Sequence, residues 1–212
     1  MKSAQQIKPY HHGDLKNALV QAGITLLETQ GLPGLSLRAI AAAVGVSHTA
    51  PKNHFGSLRG LLTAIAIEGF HRHTAFMRQG VDAASGPKAR QLAAMEGYVR
   101  FAMTHPHLFD LMFSPLYCDF NSVALQQSAR QSYAILADIS VDLQWDKAAE
   151  PNGQQRSEAM LWSFVHGYAK LRLAGQFGPN TNTGQIFEIG EIMPDFGYRD
   201  NHVTSSDRLK II

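Results

Sequence analysis

The sequence predicts an all-α protein with a helix-turn-helix in its first third, and three observations carry that expectation. Apolar residues recur at intervals of three and four through most of the chain. No stretch alternates with the period of two that marks a half-buried strand. Capping residues, Asp14, Ser36, Thr49 and Ser57 at starts and Gly31 and Gly45 at stops, fall where the periodic runs begin and end.

The first helix is expected from Asp14, a candidate N-cap, with Leu15, Leu19, Ala22, Leu26 and Leu27 on one side, ending at Gly31. Leu32-Pro33-Gly34 breaks the chain, and Ser36 caps a second helix of about two turns whose Ile40, Ala41 and Val44 face inward before Gly45 stops it. A third helix, capped by Ser47 or Thr49, ends near Phe55. A fourth, capped by Ser57, runs through Leu61, Leu62, Ile65 and Phe70 towards Arg78. Asp82 to Pro87 is rich in small residues and reads as a joint. Beyond it come helices over 88–104 and from Pro106 through Met112, and a strongly apolar one over about 155–174.

Pro51 tests the third helix, because an interior proline removes a hydrogen bond and clashes with the preceding turn. Capping at Thr49 makes Ala50 the first helical residue and Pro51 the second, where the missing N–H has no intrahelical partner anyway. Capping at Ser47 would instead sacrifice a real hydrogen bond, so the later cap is expected.

The second and third helices form the most informative group. Ala41 permits a close helix approach, Gly45 supplies the positive φ that a three-residue turn demands, and Val46 fills the angle between the helices. His48, Thr49, Lys52, Asn53 and His54 then remain on the outside of the third helix, able to bond base edges or phosphate oxygens, or simply to face water.

Charge agrees with that placement. The net charge of +2 is uneven: residues 1–60 hold six basic side chains (Lys2, Lys8, Lys16, Arg38, Lys52, Arg59) and two acidic ones (Asp14, Glu28). The front of the chain is therefore the candidate polyanion-binding region. A chain of 212 residues with 45% apolar content suffices for one core, or one core and a satellite domain. Its longest apolar runs, such as 61–67, are far shorter than the roughly 20 residues of a membrane span, and the start has no secretory pattern, so a cytoplasmic protein is expected. The single cysteine, Cys118, excludes an internal disulfide and fits a small apolar packing role.

YHHGDLKNALVQAGITLLETQG followed by LSLRAIAAAVGVSHTAPKNHFGSLRGLLTAI resembles the DNA-binding domain of the tetracycline-repressor family of bacterial transcription regulators over about residues 10–67. Trp162-Ser163-Phe164-Val165-His166-Gly167 resembles the Trp-His-Gly element of one branch of that family. The resemblance implies an N-terminal three-helix helix-turn-helix domain, 10–67, and a C-terminal helical bundle, 68–200, that binds an effector and dimerises, with 1–9 and 201–212 as flexible tails. It further implies a homodimer in which the last two helices of each protomer make a four-helix bundle. Gly190, Pro194 and Gly197 interrupt the tail, so any helix after Gly184 should be short and the dimer contact smaller or differently built. Lys52 stands where the family has a phosphate-contacting Tyr, and Leu58 with Arg59 where it has a Lys.

On this basis Ser47, His48, Thr49 and Asn53 are candidates for base reading, and Ser36, Arg38, Lys52, His54 and Arg59 for holding the DNA backbone. Phe109, Met112, Phe113 and Tyr117 are candidates to line an effector pocket, though most such residues pack in cores. Trp162, His166 and Tyr168 are candidates to give that pocket its polar atoms. No cofactor is called for. His71 with His73, and His105 with His107, are spaced two apart, which points the rings of a helix to different faces and lacks the Glu of a two-His zinc motif. Phosphate-cradling, dinucleotide and nucleophile-turn motifs are absent from the sequence. The expected function is a ligand-responsive DNA-binding regulator, a repressor released from a palindromic operator. The alternatives are an architectural DNA-binding protein without an effector and an enzyme or carrier using the helical pocket.

Overall fold

The computed structural model describes residues 12–141 and 143–197; the expected tails at 1–9 and 201–212, and the start of the YHHGD stretch, lie outside them. Nine α-helices follow one another among the described residues, with no β-strand. They are α1 (His12–Gln30), α2 (Leu37–Val44), α3 (Ala50–Phe55), α4 (Leu58–Val81), α5 (Pro87–Thr104), α6 (Pro106–Met112), α7 (Val123–Ser140), α8 (Gly153–Leu173) and the single turn α9 (Ile189–Ile192). No helix among the described residues is long and apolar enough to cross a membrane.

Helix ends follow local chemistry closely. Gly31 adopts φ 68°, and Ser36 caps α2 by accepting a hydrogen bond from the Ala39 N–H at 3.0 Å. Ser57 does the same for α4 through the Gly60 N–H at 3.1 Å. At the front the expectation needs correction: α1 begins at His12, so Asp14 lies within the helix instead of capping it. The expected helix over 155–174 begins earlier, at Gly153, and ends at Leu173. It is also less enclosed than its composition suggests, since Leu161, Val165, Tyr168 and Ala169 are buried while Trp162 and Leu171 are exposed. Among the described residues after Gly184, α9 is the only helix.

The helices divide into two compact units: residues up to Arg72 together with His105–Ala129, and His73–Thr104 together with residues from Arg130 on. In the first, Leu19, Ile24 and Leu27 of α1 are buried with Ile40 and Ala41 of α2, Leu61, Leu62 and Ile65 of α4, and Leu108 and Leu111 of α6. Two polar clasps complete this core. Glu28 on α1 accepts hydrogen bonds from the Leu108 N–H at 2.9 Å and the His107 N–H at 3.4 Å, supplying the cap that α6 lacks locally. Arg59 and Thr63 on α4 hold the loop after α6: Arg59 donates to the Cys118 carbonyl at 2.8 Å, and Thr63 accepts from the Asp119 N–H at 2.9 Å. Cys118 is fully buried, and burial pushes its thiol up to about 11, as expected of a packing residue.

The second unit is built on α5 and α8. Gly97 lets α5 press against the chain at Phe76 and Met77, where a Cβ would stand 2.4 Å from the Phe76 carbonyl oxygen. Several of its polar side chains are buried and hydrogen-bonded. His73 Nδ1 and Ser132 Oγ share a hydrogen bond of 2.7 Å, and Tyr98 Oη and His166 Nδ1 one of 2.8 Å. The rings of His73 and Tyr98 meet edge to face at 4.3 Å. Burial, reinforced by the neighbouring His166, pushes His73 down to about 3, so its imidazole is neutral in the fold. Burial likewise raises the Tyr98 phenol.

Candidate nucleic-acid interface

The turn between α2 and α3 is fixed by one glycine and two backbone hydrogen bonds. Gly45 sits at φ 74°, ψ 32°, the left-handed region that a residue with a Cβ enters at a cost. From there the Val46 N–H reaches the Ala41 carbonyl at 3.0 Å and the Gly45 N–H reaches Ala42 at 3.1 Å, satisfying two of the last carbonyls of α2. Ala41 is buried, as a close crossing requires, and Val46 is half-buried in the corner.

Ser47 to Thr49 form a short approach to α3. Ser47 Oγ and Thr49 Oγ1 lie 2.9 Å apart, and the Ala50 N–H donates to the Ser47 carbonyl at 2.9 Å. Thr49 is the N-cap residue and Pro51 the second residue of the helix. Its ring is buried, so the proline anchors the start of α3 and forfeits no intrahelical bond. The Asn53 N–H closes the first turn on the Thr49 carbonyl at 3.0 Å, and Gly56 ends the helix at φ 72°.

The outward side of this short helix carries its chemistry. Ser47, His48, Thr49, Lys52 and Asn53 are all exposed; His54 is half-buried, its ring 6.3 Å from that of Phe55. Ser36 and Arg38 are exposed at the start of α2, although the Ser36 oxygen is already used by its cap bond. Arg59 is exposed too, but its guanidinium bonds the carbonyls of Pro115 and Cys118, so one of its faces belongs to the loop after α6.

The seven residues singled out for an effector pocket divide between the units. Phe109 and Met112 are fully buried in the first, with Phe113 edge-on to Phe109 at 5.2 Å and to Phe70 at 5.6 Å, while Tyr117 is exposed. In the second, Trp162 and His166 are one turn apart on α8, Trp162 edge-on to Tyr133 at 5.6 Å and His166 bonded to Tyr98. Tyr168 faces elsewhere, donating to the Phe187 carbonyl at 2.6 Å. A cleft of about 430 Å³ in the second unit is lined instead by Ala84, Gly86, Pro87, Arg90, Asp138, Ile139 and Val141. Sequence reasoning weighed His73 only as a metal ligand and passed over Tyr98 and Ser132, whose signal was faint: polar residues inside apolar runs.

An all-helical chain whose glycine-hinged helix pair presents a polar, basic helix outward is a DNA-binding protein of the helix-turn-helix class. Residues 92–190 match the family model described as "Tetracyclin repressor-like, C-terminal domain". Among solved structures, a Rhodococcus sp. RHA1 protein of unknown function is 32% identical, with 80% of this chain and 88% of that one covered at a TM-score of 0.68. SCO4313, a candidate regulatory protein, is 20% identical over 84% of this chain and 90% of its own, with a TM-score of 0.63. The TetR-like regulator LfrR from Mycobacterium smegmatis, in complex with proflavine, is 17% identical over 76% of this chain and 85% of its own, with a TM-score of 0.53. The last two likenesses concern the fold. No curated protein matches the chain. The chain belongs to the tetracycline-repressor family, and it is a DNA-binding transcriptional regulator.

Proposed function

We propose that this regulator is a homodimeric repressor, working in the cytoplasm without catalysis, that leaves a palindromic operator when a small effector binds its helical body. Residues 10–67 read DNA in this proposal, and 68–200 bind the effector and dimerise. The observation that carries the DNA-reading side is the exposed row His48, Thr49, Lys52 and Asn53 on a helix pinned at its start by Pro51. A two-fold dimer presents two such helices about 34 to 36 Å apart to successive major grooves. Ser47, His48, Thr49 and Asn53 face base edges, while Lys52 and Arg38, together with the α2 start at Ser36, hold phosphates. That the related fold of LfrR is known with proflavine supports an effector in the body; here Trp162 and His166 are the polar candidates, Tyr168 being turned to the Phe187 carbonyl. An effector shifts DNA binding only through its different affinity for the two dimer forms.

Duplexes selected from a random pool, followed by quantitative binding of two variants, test this reading. Lys52→Ala weakens binding almost equally on all sequences and makes the salt dependence shallower, whereas Asn53→Ala changes which sequences are preferred. Equal loss of selectivity in both variants removes the division of roles. Absence of any selected sequence removes the operator.

A further inference from the structure

Lys16 lies on α1, outside the helix-turn-helix pair, yet its ammonium stands over the recognition helix. The Nζ atom is 5.8 Å from the centroid of the Phe55 ring, and Phe55 is the last residue of α3, three positions after Lys52. Both carboxylates among residues 15–72 are engaged elsewhere. Glu28 accepts the N–H groups that open α6, and Glu68 accepts from Arg72 Nε at 2.9 Å. The Lys16 charge therefore meets no carboxylate among the described residues, only the face of an aromatic ring, and the side chain is exposed. Lys52 and Arg38 are exposed as well, and neither forms an ion pair with a described residue, so Lys16, Lys52 and Arg38 are three exposed cations of the first unit that no described carboxylate pairs with.

A solvated lysine pays rotamer entropy whenever a partner immobilises it. Resting against the half-buried Phe55 ring, Lys16 has part of that freedom removed in advance, and its head is held at the rim of α3. An ammonium group is a point charge with three donors, suited to a phosphate oxygen and indifferent to base sequence. We propose that Lys16 is a DNA-phosphate contact, with its ammonium carried by the Phe55 ring to the strand bordering the groove that α3 enters. This rests on the DNA-binding reading above. It extends the DNA-binding surface from the helix-turn-helix onto α1 and gives Phe55 the role of positioning residue.

The test is the salt dependence of duplex binding by the full chain and its Lys16→Gln and Lys16→Arg variants, read by fluorescence anisotropy, with thermal melting of each protein alone. The probe is a mixed-sequence duplex of about three helical turns, since phosphate contacts are independent of sequence. Losing one contact makes the slope of log K against log salt shallower by about 0.9 per protomer. Between about 50 and 200 mM salt the wild type then loses roughly 3.5-fold more affinity per protomer than Lys16→Gln. Lys16→Arg keeps the wild-type slope, and melting is unchanged in both. A Lys16→Gln slope equal to wild type overturns the proposal, as does a lowered melting temperature with the slope preserved, which makes Lys16 a packing partner of Phe55 alone. If the wild type fails to bind the duplex even at about 50 mM salt, the DNA-binding reading falls and this contact with it.

Discussion

Around α3, His48, Thr49, Lys52 and Asn53 stand in water, whereas in the second unit His73, Tyr98 and Ser132 are 2%, 1% and 4% exposed and each is bonded to a named neighbour. Both places are rich in polar side chains, and their energetics are opposite. Exposed polar groups cost the fold nothing and remain available to an outside partner. Buried ones cost desolvation that only their hydrogen bonds offset, so they are committed to holding the body together. Histidines mark the contrast most clearly: His48 is exposed beside the recognition helix, and His73 is neutral and enclosed by aromatic rings.

The sharpest way to break the second unit is to fill the space that brings its helices together. Gly97→Ala places a Cβ 2.4 Å from the Phe76 carbonyl oxygen and 2.7 Å from Met77 Cα, both backbone atoms with no freedom to swing away. Overpacking of that kind destabilises by about 2–3 kcal/mol after the gain in helix propensity. Denaturant unfolding followed by tryptophan fluorescence reads this directly, because Trp145 and Trp162 both belong to the second unit.

Acid tests the same region through His73. Above its ordinary value of 6.5 the imidazole is neutral in both folded and unfolded chains, so it contributes no pH dependence there. As pH falls from 6.5 towards about 3, the unfolded chain takes up the proton and the folded one does not, and stability declines by about 1.4 kcal/mol per pH unit. From pH 7 to pH 5 the second unit loses about 2 kcal/mol on this account, and His73→Gln makes the difference between those two pH values smaller by that amount. An unchanged difference would show His73 to be charged, or exposed, in the fold.

The smallest effect belongs to the turn before α3. Gly45→Ala meets no atom within 4 Å, so its whole cost is the left-handed backbone, about 1–2 kcal/mol. Amide exchange of α2 and α3 should accelerate while tryptophan fluorescence at the other end of the chain reports no change, which separates the two units experimentally.

Much of the first unit was legible because its signals are local. Ser36, Ser57, Gly31 and Gly45 act on residues within four positions of themselves, so their neighbours in sequence are also their neighbours in space. Pro51 was readable for the same reason: its position relative to Thr49 alone decides whether a hydrogen bond is lost. Lys16 counted only towards the basic charge of the front of the chain; its contact with Phe55 was not legible because the two are 39 positions apart and the attraction leaves no pattern in either segment. In α7, a helix the sequence reading did not single out, Ser128, Ser132 and Ser140 occupy buried positions among Leu125, Ile135, Leu136 and Ile139 and interrupt the apolar period. Each is satisfied by a hydrogen bond, to Leu125, His73 and Ala137 respectively.

Composition, spacing and caps thus determined by themselves that the chain is helical, where most helices stop, and that a short basic helix follows a glycine hinge. Tertiary structure alone decided which polar groups are spent inside the protein and which are left for DNA. Glu28 caps a helix some 80 residues away, Arg59 holds a loop, and Lys16 rests on Phe55. A side chain's reach for a charge or a carbonyl depends on distance through space, and sequence separation carries no information about that distance until the helices pack.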